Sequence, residues 1–220
     1  MNTQAITVSA FRWVPPFVRG LVRDLRVRWA LEEAGMRYTA KLISQQDQGS
    51  AEYRAWQPFG QVPAFSQDGV EMFESGAIVL HIAEQSERLM PKDPAGRARV
   101  QTWLIAALNS IEPAVQQLTE IDLFHKGAEW ATQRRPQVED RVKLRFAAMA
   151  ASLGEREYLA GDFSAADIIM VTVLRNLRHL DLVAQFPTIK AYCDRCEARP
   201  AFNKALQDQM TDFDENPPAG

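Results

Sequence analysis

Apolar and polar positions alternate along residues 5–11, placing Ile6, Val8 and Ala10 on one face of a short strand. Residues 12–17, RWVPPF, hold adjacent prolines and cannot continue a regular element. From Arg19 the spacing becomes helical: Leu21, Leu25 and Trp29 recur every fourth position, Val22, Val27, Ala30 and Leu31 widen the stripe, and Gly35 ends it. Tyr38 to Ile43 alternates again as a second strand, so this first stretch predicts a βαβ unit with a right-handed crossover. Residues 44–56 are polar and predict a loop with a short helix at its end. Ala64-Phe65 and Val70, Met72, Phe73 then flank Gln67-Asp68-Gly69, and an Asp-Gly pair between apolar runs predicts a hairpin. Beyond it Ile78 and Ile82 restore helical spacing, with Ser75 as the expected N-cap and Glu74 adding negative charge near the positive end of the helix dipole.

The pattern changes after residues 87–94, ERLMPKDP, whose prolines mark a linker. Everything beyond is helical in period. A helix over residues 95 to about 124 carries Val100, Trp103, Leu104, Ala107, Leu108, Ile111, Val115 and Leu118, with Pro113 expected to bend or break it. A second runs from about Pro136 to Leu153. Ser164 and Asp167 have the S-x-x-D spacing of a capping box, and the helix that follows, to Leu177, is apolar nearly all round. That helix should be the buried centre of a second domain. Amphipathic helices over about 188–198 and 201–209 close the chain, and the acidic, proline-containing tail from Asp212 is expected to be loose. The resulting division is 1–86, an α/β domain; 87–94, a linker; 95–211, an all-α domain; and 212–220, a tail.

Composition narrows the class. A hydrophobic content of 46% with 24% charge is that of a globular chain long enough to bury a core without staples. The net charge of −3 argues against nucleic acid, whose phosphates demand a basic face. No apolar run reaches the roughly 18 residues of a membrane span. The opening MNTQAITVSAF lacks the basic region and apolar stretch of a secretory signal, so cytoplasmic residence is the expectation. Cys193 and Cys196 have the C-x-x-C spacing of a redox pair, but they lie within a helical run near the C-terminus, where packing on one face is the simpler reading.

Two short motifs carry a resemblance. Pro58-Phe59-Gly60-Gln61-Val62-Pro63 and Glu74-Ser75-Gly76-Ala77-Ile78, in this order and spacing around the Asp68-Gly69 turn, are similar to the glutathione-binding half of cytosolic glutathione transferases. The resemblance implies a thioredoxin-like βαβ–ββα domain followed by an all-α domain, glutathione as co-substrate, a homodimer and no metal. It extends through the capping box at Ser164 to most of the chain. By the same resemblance Glu74 and Ser75 hold the γ-glutamyl amine and carboxylate, Val62 beside Pro63 pairs with the cysteinyl backbone by strand addition, and Gln61 and Lys41 reach the glycine carboxylate.

The catalytic position departs from that pattern. Family members place a Tyr, Ser or Cys between the first strand and first helix, yet residues 12–35 contain no Tyr, Ser, Thr or Cys. Pro15-Pro16-Phe17 resembles the Cys-Pro-Phe of the thiol-transfer branch with proline in the cysteine's place, which argues against a catalytic-cysteine reductase. Cations and one indole remain: Arg12, Arg19 and Arg23 by charge, Trp13 by its single N–H, with Trp13 and Arg19 the favoured pair. Phe17, Trp103, Leu104 and Ala107 are candidates for an apolar second-substrate pocket, although core packing accounts for helical apolar residues equally well. His81, His125 and His179 have no metal-ligand spacing; His81 reads as packed, and His125-Lys126 as a possible border of a substrate cleft. The leading expectation is a transferase adding the glutathione thiolate to a small apolar electrophile. The alternatives are a binding protein on the same scaffold, favoured by the missing hydroxyl, and a glutathione-dependent isomerase or peroxidase.

Overall fold

A computed structural model describes residues 5–217, and every structural statement below refers to them. The described residues form two compact units, one running to Met90 and resuming at Arg199, the other Pro91–Ala198. In the first, strands β1 (Ile6–Phe11), β2 (Thr39–Ile43), β3 (Ala64–Gln67) and β4 (Val70–Phe73) make one sheet in the order β2-β1-β3-β4. β1 runs parallel to β2 and antiparallel to β3, and β3 is antiparallel to β4. Helix α1 (Asp24–Ala34) joins β1 to β2, α2 (Ala51–Trp56) precedes β3, and α3 (Ser75–Glu84) follows β4, which is the βαβ–ββα order expected. The hairpin closes through Asp68 at φ 51° and Gly69 at φ 84°, the pair of left-handed residues that a two-residue hairpin turn demands.

α1 starts five residues later than its apolar stripe suggests. Gly20 at φ 73° takes the chain out of the helical region, and residues 16–18 form only a short 3-10 turn. Once started, α1 is buried on nearly every side, including Asp24, Arg26, Arg28 and Glu33. A buried charge must be paired, and these are. Arg28 bonds Asp24 at 2.8 Å and Asp212 at 2.5 Å, while Gln209 donates to Asp24 at 2.8 Å. Glu33 accepts from Trp29 and from both arms of Arg199. Of those partners Gln209 and Asp212 belong to the C-terminal helix, and Arg199 immediately precedes it. That helix, Pro200–Glu215, therefore packs on α1 in the first unit instead of closing the helical one, and Asp212 is helical and paired, not part of a loose tail.

The second unit is all helical. α4 (Pro94–Ala106) passes through a π turn (Ala107–Ile111) into α5 (Glu112–Leu123), and Pro113 sits at the start of α5. Proline lacks the N–H that would continue the ladder, so a widened turn just before it is the local solution. α6 (Glu129–Leu153) begins well before its expected start and carries Pro136 inside; its 25 residues absorb the one bond that Pro136 cannot donate. α7 (Ala165–Leu174) is buried at every position and opens on the predicted capping box, with Asp167 accepting from Ser164 N–H at 2.9 Å. α8 (Pro187–Glu197) carries both cysteines as buried free thiols. Burial pushes the Cys193 thiol up to about 12, so it stays protonated at neutral pH and is a packing residue. The helix after it, introduced above in the first unit, is α9.

Candidate functional site

Register assembles the site at one end of the sheet. β1 and β3 pair Val8 with Phe65, so the antiparallel ladder carried onward sets Phe11 at the level of Val62. β1 and β2 pair Phe11 with Ile43. β3 and β4 pair Ala64 with Phe73, the last pair of that ladder, so Pro63 precedes one strand where Glu74 follows the other. Phe11, Ile43 and Val62 meet in one apolar cluster with Tyr53, Val22 and Trp56. The exit of β1, the entry of β3 and the start of α3 therefore converge, and the motifs separated in sequence become neighbours.

The loop leading into β3 is fixed one carbonyl at a time. Arg54 donates to Pro58 O at 3.1 Å, Gln48 to Gly60 O at 2.6 Å and the Tyr53 hydroxyl to Gln61 O at 2.6 Å. Gln57 accepts from Phe59 N–H at 2.7 Å, and Ser9 accepts from Ala64 N–H at 2.7 Å while bonding Tyr53. Burial raises the Tyr53 pKa, which keeps this hydroxyl a donor. Gly60 lies at φ 64°, and a Cβ there would stand 2.7 Å from Gln48 O, so the loop admits only glycine. The Val62-Pro63 peptide is cis. Val62 itself falls outside the ladder of β3, just before it, and is buried.

At the other strand end, Ser75 is not the N-cap. Glu74 takes that position at φ 69° and ψ 107°, and its carbonyl accepts the first helical bond from Ile78. β4 runs through Phe73, so a single residue must reverse the chain into α3, and that residue is forced to positive φ. No side chain caps α3, which leaves the N–H groups of its first turn for an anion. Glu74 is exposed, whereas Ser75 is buried and its hydroxyl accepts from Arg26 at 3.1 Å. Arg26, on the buried side of α1, is a residue that sequence reading missed; its one signal is a charge placed within an apolar stripe.

The remaining candidates are spread more widely. Trp13 is half-buried, and its carbonyl accepts from Gln45 at 3.1 Å. Arg19 is tied to α9, 2.6 Å from Asp214 and with its guanidinium 5.8 Å from the Phe213 ring. Phe17 is 49% exposed on the 3-10 turn. Gln61 is exposed beside Val62. Lys41 pairs with Ser9 in the ladder, short of the strand end and two strands from β3 by sheet order; its ammonium meets Glu52 and lies over Trp56 in a separate groove of about 540 Å³. The structure thus brings Gln48, not Lys41, to the loop. In the second unit Leu104 and Ala107 are 1% and 0% exposed, so of the proposed pocket wall only Trp103 presents surface. His81 is packed, bonded to Gln67 and edge-on to Phe65. His125 and Lys126 line a cleft of about 570 Å³ with Asp122, Arg135 and His179. Among the described residues no group of acidic, His and Cys side chains has the makings of a metal site, and no helix is long and apolar enough to cross a membrane.

Comparison with known proteins gives the same two-part division. Residues 18–84 match the family described as glutathione S-transferase, N-terminal domain, and residues 119–200 that described as glutathione S-transferase, C-terminal domain. Glutathione S-transferase 4 of Zea mays is 31% identical over 220 residues, covering 94% of each chain. The probable maleylacetoacetate isomerase 2 of Drosophila melanogaster is 32% identical over 198 residues, 85% of this chain and 84% of that one. Among solved structures, a glutathione transferase of Burkholderia graminis with two glutathione molecules bound per subunit superposes at a TM-score of 0.81 and 27% identity, covering 92% of this chain and 88% of that one.

Proposed function

The chain belongs to the glutathione transferase family, and on that premise we propose that it binds glutathione along Gln61–Pro63 and Glu74–Ser75 and adds the sulfur to a small apolar electrophile. The observation that supports this most directly is the pairing of Ala64 with Phe73, which sets the entry of β3, just after Val62-Pro63, beside the exit of β4, where α3 starts with no side-chain cap. The tripeptide's main chain pairs with Val62 as an added strand, and its γ-glutamyl end meets the first turn of α3. The cysteinyl sulfur then lies toward the exit of β1, where the Trp13–Arg19 loop begins.

The thiol loses its proton to solvent, the thiolate forms the new carbon–sulfur bond, and a leaving group departs or a carbanion takes up a proton. What the protein supplies is position and a lowered thiol pKa. No side-chain hydroxyl or thiol lies in residues 12–35, so that lowering falls to the Arg19 guanidinium, the Trp13 indole and main-chain N–H groups. Phe17, 49% exposed on its 3-10 turn, offers apolar surface for the second substrate. A second reading, glutathione-dependent isomerisation, is favoured by the similarity to the Drosophila isomerase; it uses the same thiolate addition, followed by its reversal after bond rotation.

Steady-state turnover of glutathione with a panel of electrophiles and with cis-enones separates the two. Conjugate accumulation supports the transferase, isomerised enone with glutathione unconsumed supports the isomerase, and tight binding without either reduces the protein to a glutathione carrier. We further read the protein as a cytoplasmic homodimer; sedimentation showing a monomer at micromolar concentration would remove the dimer.

A further inference from the structure

We infer that Arg26 is a positioning residue that holds the Ser75 hydroxyl as a donor toward the ligand end bound at the start of α3; this rests on the glutathione reading above. Arg26 is 2% exposed, and its Nη1 donates to Ser75 Oγ at 3.1 Å. A guanidinium has donors only, so the bond occupies a lone pair of the hydroxyl and the serine proton must be directed to some other acceptor. Donation by a charged group also makes that O–H a stronger donor in its turn. The hydroxyl joins main-chain N–H groups of the first turn of α3, which no side chain caps. The hydroxyl proton and these N–H groups are donors suited to a carboxylate. Glu74, one residue earlier and exposed, offers a carboxylate that only accepts. The neighbouring residues therefore read opposite ends of one α-amino acid: carboxylate at Ser75, ammonium at Glu74. Without Arg26 the Ser75 hydroxyl could turn and accept, and the discrimination would fade.

Calorimetry with two ligands tests this. One is glutathione; the other is 4-aminobutyryl-cysteinylglycine, which keeps the amine and lacks the γ-glutamyl carboxylate. The wild type is expected to prefer glutathione by about tenfold or more, the worth of one charge-assisted hydrogen bond. Arg26→Met should weaken glutathione by about tenfold and the analogue less than twofold, collapsing that preference. Equal weakening of both ligands, or an unchanged preference, overturns the role of Arg26. Should Arg26→Met not fold, Arg26→Lys and Ser75→Ala decide it: the lysine variant should keep part of the preference, and in the Ser75→Ala background it should have no further effect on it. An additional loss of preference in the double variant would mean that Arg26 acts elsewhere. A wild type that binds neither ligand overturns the glutathione reading itself, and that outcome differs from all of these.

Discussion

Glu74 is the residue at which fold and ligand make opposing demands. A non-glycine residue at φ 69° costs about 1–2 kcal/mol, and glycine would adopt the same angles freely at a smaller entropic cost. Glu74→Gly should therefore leave the melting temperature unchanged or raise it slightly, while glutathione affinity falls about tenfold through the lost ammonium partner. A clear drop in melting temperature would show that the side chain is there for the fold. Arg19 poses a similar question about charge. Its partner Asp214 has a side chain 66% exposed, against 19% for Arg19. If Arg19 lowers the thiol pKa by charge, Arg19→Ala should move the thiolate absorbance of bound glutathione to higher pH, by roughly half a unit to one unit. Asp214→Asn, by removing one neutralising carboxylate beside that charge, should move it to lower pH. Shifts of the same sign in both variants would leave activation to Trp13 and the main chain.

Among the elements, those coded by neighbours in sequence were legible: the Asp68-Gly69 hairpin, the Gly35 stop and the Ser164–Asp167 capping box each need only a few adjacent side chains. Elements whose ends depend on distant packing were not. The start of α1 yields to a positive φ at Gly20, and the polar positions of α1 look solvent-facing until partners some 185 residues away cover them. The candidate site divides in the same way, for Glu74, Ser75 and Val62 stand in local motifs, whereas Arg26 and Gln48 reach the site only through the fold. The capping box also proves weightier than a surface cap. Asp167 is fully buried and accepts from Leu159 N–H, Ser164 N–H, the Ser164 hydroxyl and the Tyr192 hydroxyl. Its removal strands several buried donors, so Asp167→Ala should cost about 3 kcal/mol or more in denaturant unfolding, beyond the roughly 1 kcal/mol of an exposed cap. Asp167→Asn should lie between. A midpoint within error of wild type would mean that water replaces the carboxylate at no cost.

For the whole molecule, the consequential finding is where α9 belongs. Amphipathic spacing alone makes it one more helix of the helical unit, since period tells which face is apolar and not what covers it. The structure sets Phe202 edge-on to Trp29 of α1 with ring centroids 4.8 Å apart, and Trp29, Arg28 and Asp24 are all buried. The first unit is thus completed by the end of the chain and can acquire its full core only after the helical unit between has been made. Phe202→Ala should open a cavity against Trp29 and cost about 3–5 kcal/mol. Stability is not uniform across a fold, and hydrogen exchange reports which unit loses protection. The amides of α1 should exchange faster in the variant while those of α7, buried at every position in the other unit, keep their protection. Faster exchange in α7 with α1 unchanged would return α9 to the helical unit, as the sequence pattern alone suggested. Arg199→Ala gives a second reading of the same contact, because it leaves the buried Glu33 with the Trp29 indole as a remaining donor. It should also raise exchange in α1, by less than Phe202→Ala, since the guanidinium side chain is 30% exposed and solvent makes up part of the loss.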